Sequence, residues 1–117
     1  MRVRTPLLLV AVVAGTASTA VAAAPGVLVG TVGPGFTIAL TSKGAPVKTL
    51  KAGSFTITVN DKSSIHDFHL TGPGVNKVIS SVSGTGKKTV TLTLKKGTYK
   101  FVCDPHAFSM HGSFKVT

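Results

Sequence analysis

A single cysteine, Cys103, in 117 residues excludes an intramolecular disulfide. An exported chain this small must then hold its fold with a packed core and with whatever it binds. Tryptophan is absent and Tyr99 is the only tyrosine, which leaves little of the stacking chemistry that nucleic-acid modules use and argues against nucleic acid as a partner. Glutamate is absent too, and the carboxylates are three separated aspartates, Asp61, Asp67 and Asp104. Acid–base catalysis by a carboxylate pair is therefore not expected, and neither a nucleophile elbow nor a glycine-rich phosphate loop is present. No catalytic residue and no small-molecule substrate are assigned, and the expectation is a protein that is not an enzyme. The apolar run Leu7–Ala14 falls well short of the ~20 residues needed to cross a bilayer.

What the N-terminus does carry is Met1-Arg2-Val3-Arg4, then that apolar run, then small residues leading to Ala20-Val21-Ala22. This is the order of a secretory signal, read as residues 1–22, with one domain over 23–117. Gly15, Thr16, Ser18 and Thr19 interrupt the apolar character and weigh against a membrane anchor. Arg2 and Arg4 are not adjacent, so there is no twin-arginine pair. The expected location is periplasmic or extracellular. The exported part keeps eleven lysines against the three aspartates. So positive a surface favours acidic partner proteins and association with an anionic cell surface. No long exposed apolar strand stands out, and a monomer is expected.

From Val27 onward, β-branched segments alternate with Gly, Pro, Asn, Asp and Ser clusters, and nothing repeats at 3.6 residues. The pattern predicts an all-β domain of eight strands: 27–32, 36–41, 53–60, 66–70, 75–82, 88–94, 98–103 and 112–116. Phe55, Ile57 and Val59 alternate with Ser54, Thr56, Thr58 and Asn60, as Val90, Leu92 and Leu94 do with threonines. One face of each strand belongs to a core and the other to solvent.

The chemistry-bearing segment is Tyr99-Lys100-Phe101-Val102-Cys103-Asp104-Pro105-His106-Ala107-Phe108-Ser109-Met110. A thiolate, an imidazole and a thioether on one loop after a strand suit copper better than a hard cation, and a second imidazole completes a two-His, one-Cys, weak-Met site. His66 and His69 are the histidines outside the loop. Alternation with Phe68 and Leu70 puts His66 on the core face; His69 shares the other face with Asp67, toward solvent. The fourth ligand is Met110, or its neighbour His111. A rim of Ala107, Phe108 and Gly72-Pro73-Gly74 is expected around His106.

The spacing from Asn60 to His66, followed by Tyr99-x-Phe101-x-Cys103-x-Pro105-His106 and a Met-x-Gly, resembles the cupredoxins, small blue copper proteins such as plastocyanin, amicyanin and pseudoazurin. The resemblance implies an eight-stranded Greek-key β-sandwich with one type 1 copper ion held by His66, Cys103, His106 and weakly Met110. It also implies one-electron transfer to a partner docking at the exposed histidine edge. Asp67 departs from the pattern, since the family usually has Asn after its first histidine; the tie between ligand segments that Asn makes must be rebuilt, or Asp67 must point to solvent. The alternative function is a secreted copper-binding protein for storage or delivery.

Overall fold

The computed structural model of the protein describes residues 9–16 and 24–117. Most of the segment read as a secretory signal thus lies outside the described residues. The domain is a sandwich of two five-stranded sheets. Ten strands follow in chain order: β1 Gly26–Val32, β2 Ile38–Ser42, β3 Ala45–Pro46, β4 Thr49–Leu50, β5 Gly53–Asp61, β6 Phe68–Gly72, β7 Val75–Ser80, β8 Gly86–Leu94, β9 Gly97–Val102 and β10 His111–Val116. One sheet has the order β3-β2-β1-β5-β8 and the other β4-β10-β9-β6-β7. The eight longer strands fall on the eight expected segments. Two differences are that β3 and β4, two residues each, add an edge to each sheet, and that Phe36, expected in a strand, lies in the loop before β2.

The alternation seen in the sequence becomes an inside and an outside. Ile57 and Val59 of β5 are buried, and β5 pairs with β8 without a break from Gly53↔Leu94 to Asp61↔Gly86. The second sheet contributes an aromatic layer. Phe68 stacks on Phe101 at 5.7 Å between centroids and Tyr99 on Phe114 at 5.3 Å, offset geometries that add to simple burial. Gly112 is required here: a Cβ on it would stand 2.2 Å from the Phe101 ring.

Strand ends sort the loops to two poles. At one lie the loops β1–β2, β5–β6, β7–β8 and β9–β10; at the other lie β2–β3, β3–β4, β4–β5, β6–β7 and β8–β9. Tyr99 ties the second pole, its hydroxyl donating to the carbonyls of Lys95 (2.8 Å) and Pro73 (3.3 Å).

Candidate metal centre

The β9–β10 loop is short and closed on itself. Cys103 directly follows β9, and its N–H donates to the Met110 carbonyl at 3.0 Å. Asp104–His106 form one 3-10 turn with Pro105 at its start, where a missing N–H costs nothing. The N–H of His106 donates to the Cys103 carbonyl, and those of Ser109 and Met110 donate to the His106 carbonyl. The turn sends His106 back over Cys103 and delivers Met110 into the core, where it is fully buried. His111 points the other way: it is exposed, and its Nδ1 bonds the Ala107 carbonyl at 3.0 Å.

His66 arrives from the β5–β6 loop and is fully buried. Three donor atoms converge: His66 Nδ1 lies 3.0 Å from His106 Nδ1 and 3.7 Å from Cys103 Sγ, and His106 Nδ1 lies 3.5 Å from that sulfur. Donors held about 2.0–2.3 Å from one ion and spread evenly around it lie roughly 3.3–3.8 Å apart. The triangle is already close to metal-sized. Two imidazoles and a buried thiol facing one another, with no other partner for the ring Nδ1 atoms among the described residues, are a soft N₂S donor set that fits one type 1 copper ion. Burial pushes the Cys103 thiol up in pKa, so the thiolate needs a cation beside it, and metal uptake releases its proton.

Around the donors the structure both confirms and corrects the sequence reading. His66 is on the core side as expected, but two residues before β6, and Asp67 beside it is buried instead of facing solvent. The reason is local: ladder pairing starts at Phe68, with an irregularity between Phe68 and His69, so strict alternation does not reach back to Asp67. Its carboxylate Oδ1 accepts the N–H of Asp104 at 2.6 Å. The tie between the two ligand segments is thereby rebuilt with an aspartate as acceptor. Burial and the neighbouring Asp104 carboxyl raise the Asp67 pKa to about 6, while the hydrogen bonds with Asp67 and His69 lower that of Asp104.

His69 stands apart from the donor triangle. Its Nδ1 lies 2.9 Å from Asp104 Oδ2 and its Nε2 bonds Asn76, contacts that raise its pKa. It therefore braces the ligand loop from outside. Asp61, also buried, accepts the hydroxyl of Ser80 and the N–H of Ser63 (3.0 Å), fixing the start of the loop that carries His66.

The rim differs most from expectation. Gly72-Pro73-Gly74 sits at the opposite pole, because β6 runs away from His66 before it turns. Its place is taken by the β1–β2 loop. Phe36 sets its ring edge-on to both imidazoles, 5.4 Å from His66 and 4.9 Å from His106. Gly33 comes so close that a Cβ would meet Ser63 at 2.9 Å and His66 at 3.2 Å, and its φ of +71° favours glycine. Phe36 is 62% exposed and Phe108 97%, and Ile65 of the β5–β6 loop at the same pole is exposed too. Phe36 went unrecognised because nothing in Gly33-Pro34-Gly35-Phe36 signals that the turn folds over a site.

A two-sheet β-sandwich with an N₂S donor set at one pole, closed by a Cys-to-Met loop, defines a copper-binding domain. The family model described as copper binding proteins, plastocyanin/azurin family, matches residues 44–117, and the chain belongs to that family. Rusticyanin from Thiobacillus ferrooxidans is similar in fold, with a TM-score of 0.58 and 22% identity over 78% of this chain and 76% of that one. Auracyanin A, a "blue" copper protein of the green thermophilic photosynthetic bacterium Chloroflexus aurantiacus, gives a TM-score of 0.55 and 19% identity over 80% of this chain and 100% of that one. No curated protein matches in sequence.

Proposed function

We propose that this protein is an exported one-electron carrier in which His66 Nδ1, Cys103 Sγ and His106 Nδ1 hold one copper ion and Met110 supplies the weak fourth contact. The observation that carries the reading is the donor triangle, brought together from two separate loops at distances suited to one ion. Copper, when bound there, supplies a one-electron couple.

The chain's part is to keep the donors in place in both oxidation states. Cys103, His106 and Met110 are fixed by three backbone hydrogen bonds inside one loop. Asp67 pins that loop to the His66 segment through the Asp104 N–H, and His69 pins it again through the Asp104 carboxylate. Phe36 packs edge-on against both imidazoles, and of the two the half-buried His106 offers the route outward. The apolar rim of Phe36, Ala107 and Phe108 suits transient docking, where a desolvated aromatic contact brings two redox centres close without a large interface. The positive surface favours acidic redox partner proteins. The leader-like residues 1–22 support export to the periplasm or beyond, with the protein working as a monomer.

Voltammetry of the copper-loaded protein together with a copper(I)-chelator challenge tests this. A carrier gives a reversible one-electron couple and keeps copper(I) against the chelator. An irreversible wave with rapid copper(I) loss would instead point to storage or delivery.

A further inference from the structure

The three aspartates all lie at the metal pole: Asp61 ends β5, Asp67 precedes β6 and Asp104 follows β9. The opposite pole gathers lysine. Lys43 is in the β2–β3 turn, Lys48 between β3 and β4, Lys51 between β4 and β5, and Lys95 and Lys96 in the β8–β9 turn. Lys115 lies near the end of β10, opposite Thr49, and its N–H donates to the Lys48 carbonyl. Gly53↔Leu94 and Val116↔Gly97 pairing bring these turns together around one end of the sandwich. All six side chains are exposed, and the one ion pair among the described residues, His69–Asp104, is at the other pole.

The two poles also differ in apolar character. Phe36, Ile65, Val82 and Phe108, exposed apolar side chains of the loops, belong to the metal pole. Among the described residues the lysine pole exposes Val27 of β1 but no aromatic ring, so it lacks the aromatic anchors of a specific protein interface. Six unpaired, flexible cations spread over several turns, without an aromatic anchor, match a diffuse anionic plane. The chain also enters the domain at this pole, through Gly26 of β1, which pairs with Phe55.

We propose that the lysine pole docks on anionic phospholipid headgroups and holds the metal pole facing away from the membrane. Orientation by the pole opposite the copper leaves the Phe36–Phe108 rim free for a redox partner. Docking does not depend on copper, so the proposal is tested separately from the carrier reading.

The test is co-sedimentation of protein purified from cells expressing the whole chain with vesicles of mixed phosphatidylglycerol and phosphatidylcholine, against pure phosphatidylcholine. Affinities are compared as ratios between variants, so any contribution from residues before 24 cancels. Each lysine near an anionic surface contributes about fivefold in binding. Replacing Lys51, Lys95 and Lys96 by Gln should weaken binding on the order of a hundredfold, with the thermal midpoint unchanged. Replacing Lys62, Lys87 and Lys88 at the metal pole, the same change in net charge, should cost less than about threefold. Binding should also fall steeply with salt. Equal losses in the two triple variants, or no preference for anionic vesicles, would overturn the proposal. So would a Lys51/Lys95/Lys96 variant that keeps vesicle binding and loses binding to polyglutamate, which would assign the pole to an acidic protein.

Discussion

Phe36 is the residue whose removal tests how the metal pole works. Phe36 is 62% exposed, so a little over a third of its area is withdrawn from water, and its ring lies against His66 and His106. At about 25 cal/mol per Å2, the roughly 75 Å2 so covered is worth about 2 kcal/mol as an upper value. Phe36→Ala in the copper-loaded protein should therefore lower the thermal midpoint by about 5–15 °C. The larger consequence is electrical. His66 is fully buried in the native protein, and opening the ring's place admits water to its imidazole, which favours the more highly charged copper(II) state. The reduction potential should fall by tens of mV, on the scale where about 59 mV is a factor of ten for one electron. Voltammetry and thermal melts of the wild type, Phe36→Ala and Phe36→Leu give the answer, the leucine variant restoring most of the potential by restoring cover. A potential unchanged in Phe36→Ala would refute the idea that this ring shields the centre.

Three other outcomes follow from the same geometry. Because the buried core of the sandwich is built from apolar side chains of both sheets, the copper-free protein should be folded, and copper at about a thousand times its Kd should add about 4 kcal/mol, raising the midpoint by roughly 15–30 °C in calorimetry; Cys103→Ser should lose most of that rise. Asp67→Asn keeps an acceptor for the Asp104 N–H but removes a buried carboxyl beside the ligands, and at pH 8 the potential should rise by roughly 50–100 mV, the scale of one charge several ångströms away at an effective dielectric of ~20. His69 has a folded pKa raised above its unfolded value near 6.5, so its contribution to stability is fully present below that pH and lost as pH rises through the folded pKa. Denaturation midpoints of wild type and His69→Gln should differ most below about pH 6.5 and converge only as pH rises through the raised folded pKa of His69; a pH-independent gap would contradict the His69–Asp104 brace.

How much of this was legible beforehand follows from which signals are local. Strand periodicity is local, and the alternation of Phe55, Ile57 and Val59 located β5 and its inner face. Cys103, Pro105, His106 and Met110 lie on one loop, so their meeting required little more than a turn. His66 was reached by alternation with Phe68 and Leu70, which succeeded although β6 starts only at Phe68. The same rule misplaced Asp67, because a residue outside the ladder is free to turn inward and take the Asp104 N–H. Phe36 over the histidines, Asp61 on Ser80 and the position of Gly72-Pro73-Gly74 at the far pole depend on which loops share an end of the sandwich. That is a property of topology, and no short stretch of sequence encodes it. The β3 and β4 pairings, two residues each, are too brief to leave a periodic signal.

The central claim is that Cys103 is a thiolate ligand to copper in company with His66 and His106. The most direct test is the visible absorption spectrum of the purified protein after addition of copper(II), recorded beside that of Cys103→Ser. The account predicts an intense blue or green thiolate-to-copper band in the wild type that vanishes in the variant; a wild type without the band, or a band that survives in Cys103→Ser, would contradict it.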